Sequence, residues 1–313
     1  MKKISLGIVI LILFAKQLCS KSLALIFILI SFGVHNSWAN EPISPIFPAE
    51  NLDQDKFELG KALFKDTRLS LNNDTSCHTC HDLGMGGGDE LKIRKNVATN
   101  SPTIFNTSKN FHVGWRGQFE SLGHHLGGVL ANPKVMGTNW PRAVTSLKAD
   151  TSFTPKFRKA YQGKISQETI FDAILYFETN LIVPSKFDEY LLGNEQAISQ
   201  TAKYGYEKFK DYGCISCHQG ANVGGNLFQS LGVVAPYMGE DGKYRAKKLR
   251  VPSLRNVALT APYLHDGSVD SLESMIKIMA QYQLGQTLTN TEIRQIKAFL
   301  KSLNSQIEPA AYE

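Results

Sequence analysis

The stretch Cys77-His78-Thr79-Cys80-His81 decides how this chain is read, and it has a twin, Cys214-Ile215-Ser216-Cys217-His218. C-x-x-C-H is the attachment signature of a c-type haem. Two thiols a short loop apart can each form a thioether to a vinyl group of one porphyrin. The histidine that follows then offers its imidazole to the iron as proximal ligand. The chain has five cysteines, and the fifth, Cys19, stands alone. A zinc site borrowing both C-x-x-C pairs, or a redox dithiol, is the competing reading, but neither requires a histidine directly after each second cysteine. The spacing points to two covalent haems, one held by Cys77, Cys80 and His81 and the other by Cys214, Cys217 and His218.

The remaining composition frames that reading. The 313 residues are 42% hydrophobic and 20% charged, ordinary globular values and enough chain for two modest domains. Lys2 and Lys3 precede an apolar run from Ile4 to Ala15, and a second run extends from Ser22 to Val34. Ser37-Trp38-Ala39 then places small residues where a signal peptidase reads, so residues 1–39 are expected to be a signal peptide that directs export to the periplasm. Neither run reaches the roughly 20 residues of a membrane-spanning helix, which makes an uncleaved anchor the lesser alternative. Cys19 leaves with the signal, and no cysteine remains for a disulfide. The formal charge of +6 falls to +2 once Lys2, Lys3, Lys16 and Lys21 are removed. With no basic run or Arg-rich helix, nothing marks a nucleic-acid partner.

Along the chain, residues 41–50 are Pro-rich and extended. A helix is expected over about 55–65, with Leu59, Ala62 and Leu63 as its apolar stripe and Phe57 and Phe64 beside it. The first haem motif follows on a polar turn. Gly84 to Asp89 reads as a loop able to lie against a flat porphyrin, and residues 96–140 look mostly irregular. Ser166 begins a helix that Pro184 stops. Further helices are expected over about 195–210, 272–282 and 289–303, the first with Ala202, Tyr206 and Phe209 inward. Sustained two-residue alternation is missing, so the fold class is mainly α. Helix, haem motif, loops and closing helix make a small cytochrome c domain, and the plan occurs twice, over 40–195 and 196–313.

Several runs carry a resemblance to a known family. They are Leu59-Gly60-Lys61-Ala62-Leu63-Phe64, Tyr176-Phe177-Glu178, Phe187-Asp188-Glu189-Tyr190-Leu191 and, above all, the run from Val251-Pro252-Ser253-Leu254-Arg255-Asn256 to Pro262-Tyr263-Leu264-His265-Asp266-Gly267. From about Leu59 to Leu300 the sequence resembles the bacterial di-haem cytochrome c peroxidases, a family that includes MauG-like enzymes. The resemblance implies two cytochrome c-like haem domains packed around an inter-domain calcium ion. It also implies that hydrogen peroxide is reduced at the N-terminal haem, with electrons from a small cytochrome c or cupredoxin entering at the C-terminal haem.

Carried over residue by residue, His81 and His218 are the proximal ligands. Met279, fourteen residues after His265, matches the thioether ligand of the electron-transfer haem. Its bland alternative is a core methionine, since Met275 lies one turn before it. Trp115 matches the tryptophan between the haems. Asn100, Thr260 and Pro262 match the oxygen donors of the calcium site, a reasonable set for a hard cation.

The departures are as informative. Where the family carries a histidine that caps the resting first iron, near Val97 in Lys95-Asn96-Val97-Ala98, there is none. The distal glutamine falls at His125 and the catalytic glutamate at Val135, and valine cannot move the protons that O–O cleavage requires. His124 or His125, within Leu122-Gly123-His124-His125-Leu126, could act as proton shuttle or ligate the first iron, or both could be loop surface histidines. His112 is a weaker candidate. The leading expectation is a periplasmic peroxidase. A MauG-like oxidase of a partner protein would bring a tyrosine in place of Met279, and a non-enzymatic electron carrier is favoured by Val135. The oligomeric state stays open, a homodimer included.

Overall fold

In the computed structural model the described residues are 41–89, 99–239 and 248–307, so the signal segment and the Val97 position lie outside them. The compact unit that carries both motifs begins at Pro42. Helix α1 (Gln54–Phe64) starts where the Asp53 carboxylate accepts from the Lys56 N–H, and it buries Leu59, Gly60, Leu63 and Phe64. A one-turn helix α2 (Cys77–Cys80) carries the first haem motif. It is followed by α3 (Leu122–Ala131), α4 (Trp140–Ala149), α5 (Thr154–Tyr161), α6 (Gln167–Asn180) and α7 (Lys186–Leu191). The second half holds α8 (Gln200–Asp211), the paired strands β1 (Phe228–Ser230) and β2 (Lys248–Arg250), α9 (Leu272–Ile278) and α10 (Asn290–Ser302). The fold is mainly helical, and among the described residues no helix is long and apolar enough to cross a membrane.

Each half is closed by the same crossing. Helix α1 packs on α6 and α8 packs on α10, and a glycine sits at each contact. A Cβ at Gly60 would lie 2.1 Å from the Ala173 carbonyl oxygen, and one at Gly205 would lie 1.9 Å from that of Gln295. Only glycine lets the backbones come this close. In both halves the first of these helices leads into a C-x-x-C-H motif and the second is set by a capping box, Ser166 with Thr169 and Thr289 with Glu292.

The correspondence extends through the loops, at a constant separation of 150 residues. Asn106 and Asn256 adopt left-handed φ values of 62° and 64°, a conformation asparagine tolerates. Each starts a short 3-10 turn, Thr107–Lys109 or Val257–Leu259. The isolated bridge Val113–Phe119 matches Tyr263–Val269, and Gly117 (φ 60°) matches Gly267 (φ 63°). Ser121 and Ser271 then cap α3 and α9 in the same way, each accepting from the third residue onward.

The core separates accordingly. Leu59, Leu63, Leu126, Leu130, Ile170 and Ile174 are among one cluster, and Tyr206, Phe209, Ile293, Ile296, Phe299 and Leu300 are among another. Ile43, Phe187 and Leu191 join the second cluster, although they precede residue 196. A buried ion pair stitches them there: the Arg255 guanidinium spans both Asp188 carboxylate oxygens at 2.8 Å, and Asp188 also accepts from the Ile46 N–H.

Four expectations change. The first haem motif is helical rather than a polar turn, because Ser76 and Thr79 form a capping box around it. Residues 122–131 are helix although Gly123, Gly127 and Gly128 lower the propensity, because the Ser121 cap and the burial of Leu126 and Leu130 outweigh them. Helix α8 begins at Gln200 rather than near 195, where Ser199 caps it. The helix from Leu272 turns into a π-helical turn at Met279–Gln283 instead of running on as α.

Candidate functional site

His81 follows α2 directly, and its Nδ1 lies 3.0 Å from the Gly87 carbonyl and 3.1 Å from that of Pro102. Carbonyls only accept, so Nδ1 carries the proton and Nε2 the lone pair that a metal takes. Gly86 to Gly88 have a packing role. A Cβ at Gly86 would lie 2.7 Å from Leu259 and one at Gly87 2.7 Å from Phe105, so this loop is small in order to seat against two other loops. Burial pushes the Cys77 thiol well above its ordinary range. Glu178 on α6 is 9% exposed, and desolvation pushes its carboxyl up to about 8.

The second motif lies on a 3-10 turn, Cys214–Ser216. Burial pushes the Cys214 thiol up to about 11 and the His218 imidazole down to about 4. His218 is therefore neutral, as a ligand must be. Its buried Nδ1 faces the backbone at Val223 and Pro252, the counterparts of the His81 acceptors, without a hydrogen bond of good geometry. Cys214, Cys217, His218, Met275 and Met279 line one cavity of about 580 Å³. Met279 stands where α9 passes into the π turn, a distortion that recurs at functional sites. Met275, 8% exposed, belongs to the core but reaches the same cavity. Cys77 and Cys214 pack against different clusters. Among the described residues no three His, Cys, Asp or Glu side chains gather to hold a metal ion.

Trp115, Asn100, Thr260, Pro262 and His265 line the same cavity. The Trp115 indole N–H donates to the Asn100 carbonyl at 2.8 Å, and the Asn100 N–H donates to the His265 carbonyl at 2.9 Å. The Asn100 side-chain amide donates to the Pro262 carbonyl and, at 3.3 Å, to that of Leu264, while its Oδ1 is buried without a partner. Arg250, which sequence reasoning missed, also lines the cavity. Its main-chain N–H donates to the Trp115 carbonyl and its Nε to that of Gly114, yet Nη1 is buried with no acceptor. Burial lowers its pKa to about 10. A basic residue set directly before the apolar start of the 251–267 run was the available signal.

His124 and His125 sit on helix α3, not on a loop. The Phe119 ring meets both edge-on, at 5.3 and 5.0 Å between centroids. His124 is exposed and His125 partly buried. Burial first, then the positive charge available to His81 and that of Arg250, pushes the His125 imidazole down to about 4. The structure thus brings His125, not His124, toward the first motif. His112 meets Phe228 edge-on and its Nδ1 is buried unpartnered. Val135 packs its side chain against the first core cluster.

Residues 54–196 match the family profile described as di-haem cytochrome c peroxidase. The chain is 36% identical to the cytochrome c551 peroxidase of Nitrosomonas europaea, over 85% of this chain and 84% of that protein. It is 39% identical to the cytochrome c peroxidase Ccp of Escherichia coli K12, over 86% of this chain and 62% of that one. Among solved structures, a MauG-like protein associated with microbial copper homeostasis superposes with a TM-score of 0.68 at 26% identity, covering 84% of this chain and 93% of that one.

Proposed function

Because this chain belongs to the di-haem cytochrome c peroxidase family, we propose that it reduces hydrogen peroxide to water in the periplasm, with electrons from a small cytochrome c or cupredoxin. The observation that carries this is the pair of prepared sites. His81 turns Nδ1 to the Gly87 and Pro102 carbonyls, His218 is buried and neutral beside the backbone of Val223 and Pro252, and Trp115 lines the cavity that holds His218.

The residues fit two haem c groups, in domains 40–195 and 196–313. Buried cysteines held as thiols suit thioethers rather than thiolate ligation. Cys77, Cys80, Cys214 and Cys217 tether the groups, His81 and His218 hold the irons, and Met279 ligates the second. Arg250 would meet a haem propionate, since an arginine 6% exposed with an unpartnered Nη1 is costly without an anion. The haems supply one-electron chemistry and a site for peroxide. Reduction consumes two electrons and two protons. His125, neutral at working pH, takes a proton from the near peroxide oxygen and returns it to the leaving oxygen, replacing the acid–base group lost at Val135. Trp115 lies on the electron route between the halves.

Asn100, Thr260 and Pro262 fit a calcium ion. The oxygen and nitrogen of an amide are assigned from their partners. Turning the Asn100 amide over would aim its orphaned Oδ1 at the Pro262 carbonyl, a pair of acceptors that only a cation reconciles. Met279 disfavours a MauG-like oxidase, whereas the apolar Val135 keeps the electron carrier as the second reading. The test is peroxide consumption by the purified di-haem protein with reduced cytochrome c and calcium. Rapid turnover that His125→Ala removes is expected. No turnover with any donor, and no spectral response to peroxide, would leave an electron carrier.

A further inference from the structure

We infer that the Arg250 guanidinium stands at the counterpart of the calcium site proposed at Asn100. The two halves are then clamped by two cations, one an exchangeable ion and the other a side chain of the protein itself. The inference rests on that calcium reading.

It follows from a two-fold correspondence where the halves meet. Asn100 and Arg250 lie at the same separation that relates Trp115 to His265. The Asn100 N–H donates to the His265 carbonyl and the Arg250 N–H to the Trp115 carbonyl, both at 2.9 Å. The side chains repeat the exchange one residue earlier. Asn100 Nδ2 reaches the Leu264 carbonyl at 3.3 Å, and Arg250 Nε reaches that of Gly114 at 3.0 Å. Leu264 and Gly114 both adopt left-handed φ values, 67° and 84°. Each half therefore gives the other the same contact, as the subunits of an isologous dimer do.

The surroundings correspond as well. Thr260 and Pro262, named with Asn100 for the calcium site, are matched by Asn110 and His112 at the same separation. Gly88 and Gly225 each come seven residues after the histidine of their motif. A Cβ at Gly88 would meet the Thr260 side chain at 3.2 Å. One at Gly225 would meet Asn110 Oδ1 at 2.0 Å and Arg250 Nη1 at 3.5 Å, so the guanidinium lies beside the residue that matches Thr260.

What differs is the side chain that makes the crossing. Asn100 and Arg250 are 5% and 6% exposed, and each holds one buried polar atom without a partner. Their demands are opposite. Asn100 Oδ1 is an acceptor in need of a positive partner, and the short amide leaves an ion room among oxygens. Arg250 is long enough to bring a permanent charge to the equivalent place. Its Nη1 remains the edge open to the propionate proposed for it. Removal of calcium should therefore loosen the Asn100 crossing and leave the Arg250 crossing closed.

The experiment is calorimetric titration of the chelator-stripped di-haem protein with calcium, paired with thermal unfolding in calcium and in chelator. The native protein should bind one ion per chain, and if it binds none the calcium reading has failed, whatever the variants do. The inference is read from the change between proteins. Arg250→Asn should bind one ion more than the native protein, and calcium should raise its melting point by more. An unchanged count overturns the inference and leaves the calcium reading standing. Asn100→Arg is the reciprocal variant. It should bind one ion fewer, and in chelator it should melt close to the calcium-loaded native protein, above Asn100→Ala. Melting no higher than Asn100→Ala in chelator overturns the inference, and this comparison decides alone if Arg250→Asn does not accumulate.

Discussion

Trp115 and His265 meet edge to face with ring centroids 6.4 Å apart, and they are the same position in the two repeats. Contact between equivalent residues places them where the two halves meet. The pair is closed through Asn100, whose carbonyl holds the indole N–H and whose N–H reaches the His265 carbonyl. Three residues from the two halves are therefore joined by two hydrogen bonds and one ring contact. Whatever orders Asn100 also orders Trp115.

Trp115→Phe keeps an aromatic ring but leaves the Asn100 carbonyl without its donor. The expected stability cost is about 1 kcal/mol. The larger effect should fall on electron passage, seen in stopped-flow experiments as slower re-reduction of the first haem after peroxide. Unchanged re-reduction would remove Trp115 from the route.

The proposed calcium and Trp115 can be separated at Asn100, because in that proposal the side chain serves the ion, whereas the backbone serves the indole. Asn100→Ala should lose the dependence of turnover on added calcium and the inhibition by a chelator, while tryptophan fluorescence stays close to native. If the chelator leaves the native protein's turnover untouched, the calcium site fails.

The Arg255–Asp188 pair is buried on both sides, at 0% and 2% side-chain exposure. Asp188→Ala strands the guanidinium and should cost about 3–5 kcal/mol, freeing the segment at Ile46 that Asp188 also holds. Denaturant unfolding of the holoprotein measures it. Replacing both partners by apolar residues should recover much of the loss. A double variant as unstable as Asp188→Ala would mean that the stranded guanidinium is not the source of the cost.

Glu178 sets a pH dependence of stability. Its carboxyl titrates near 8 in the fold, raised by desolvation, against about 4.3 in an unfolded chain. The folded state therefore holds the proton longer. The penalty is absent below the unfolded value, grows as pH rises through the window, and is complete above about 8, on the order of a few kcal/mol. Glu178→Gln should melt progressively above the native protein from pH 5 to 9. Parallel melting curves across that range would show that Glu178 is ionised in the fold.

The haem-binding pentapeptides were legible because thioether chemistry demands a fixed local spacing, and no distant residue alters it. Helices α6 and α10 were legible for a similar reason: Ser166 and Thr289 cap them within one turn. Helix α3 was not, since its glycines argue locally against it. Gly128 makes sense only once the Phe119 ring is seen lying 2.9 Å from where a Cβ would stand. The packing role of the glycine loop after His81 was hidden in the same way, its partners Phe105 and Leu259 being distant in sequence. Which of two adjacent histidines faces inward was decided by helical rotation and burial, and burial likewise left Nη1 of Arg250 unpartnered. The sequence by itself determined two haem sites, the helical class and the family. Tertiary structure decided which groups stand across from one another, because burial and long-range hydrogen bonds depend on where the folded chain returns, and local spacing does not carry that information.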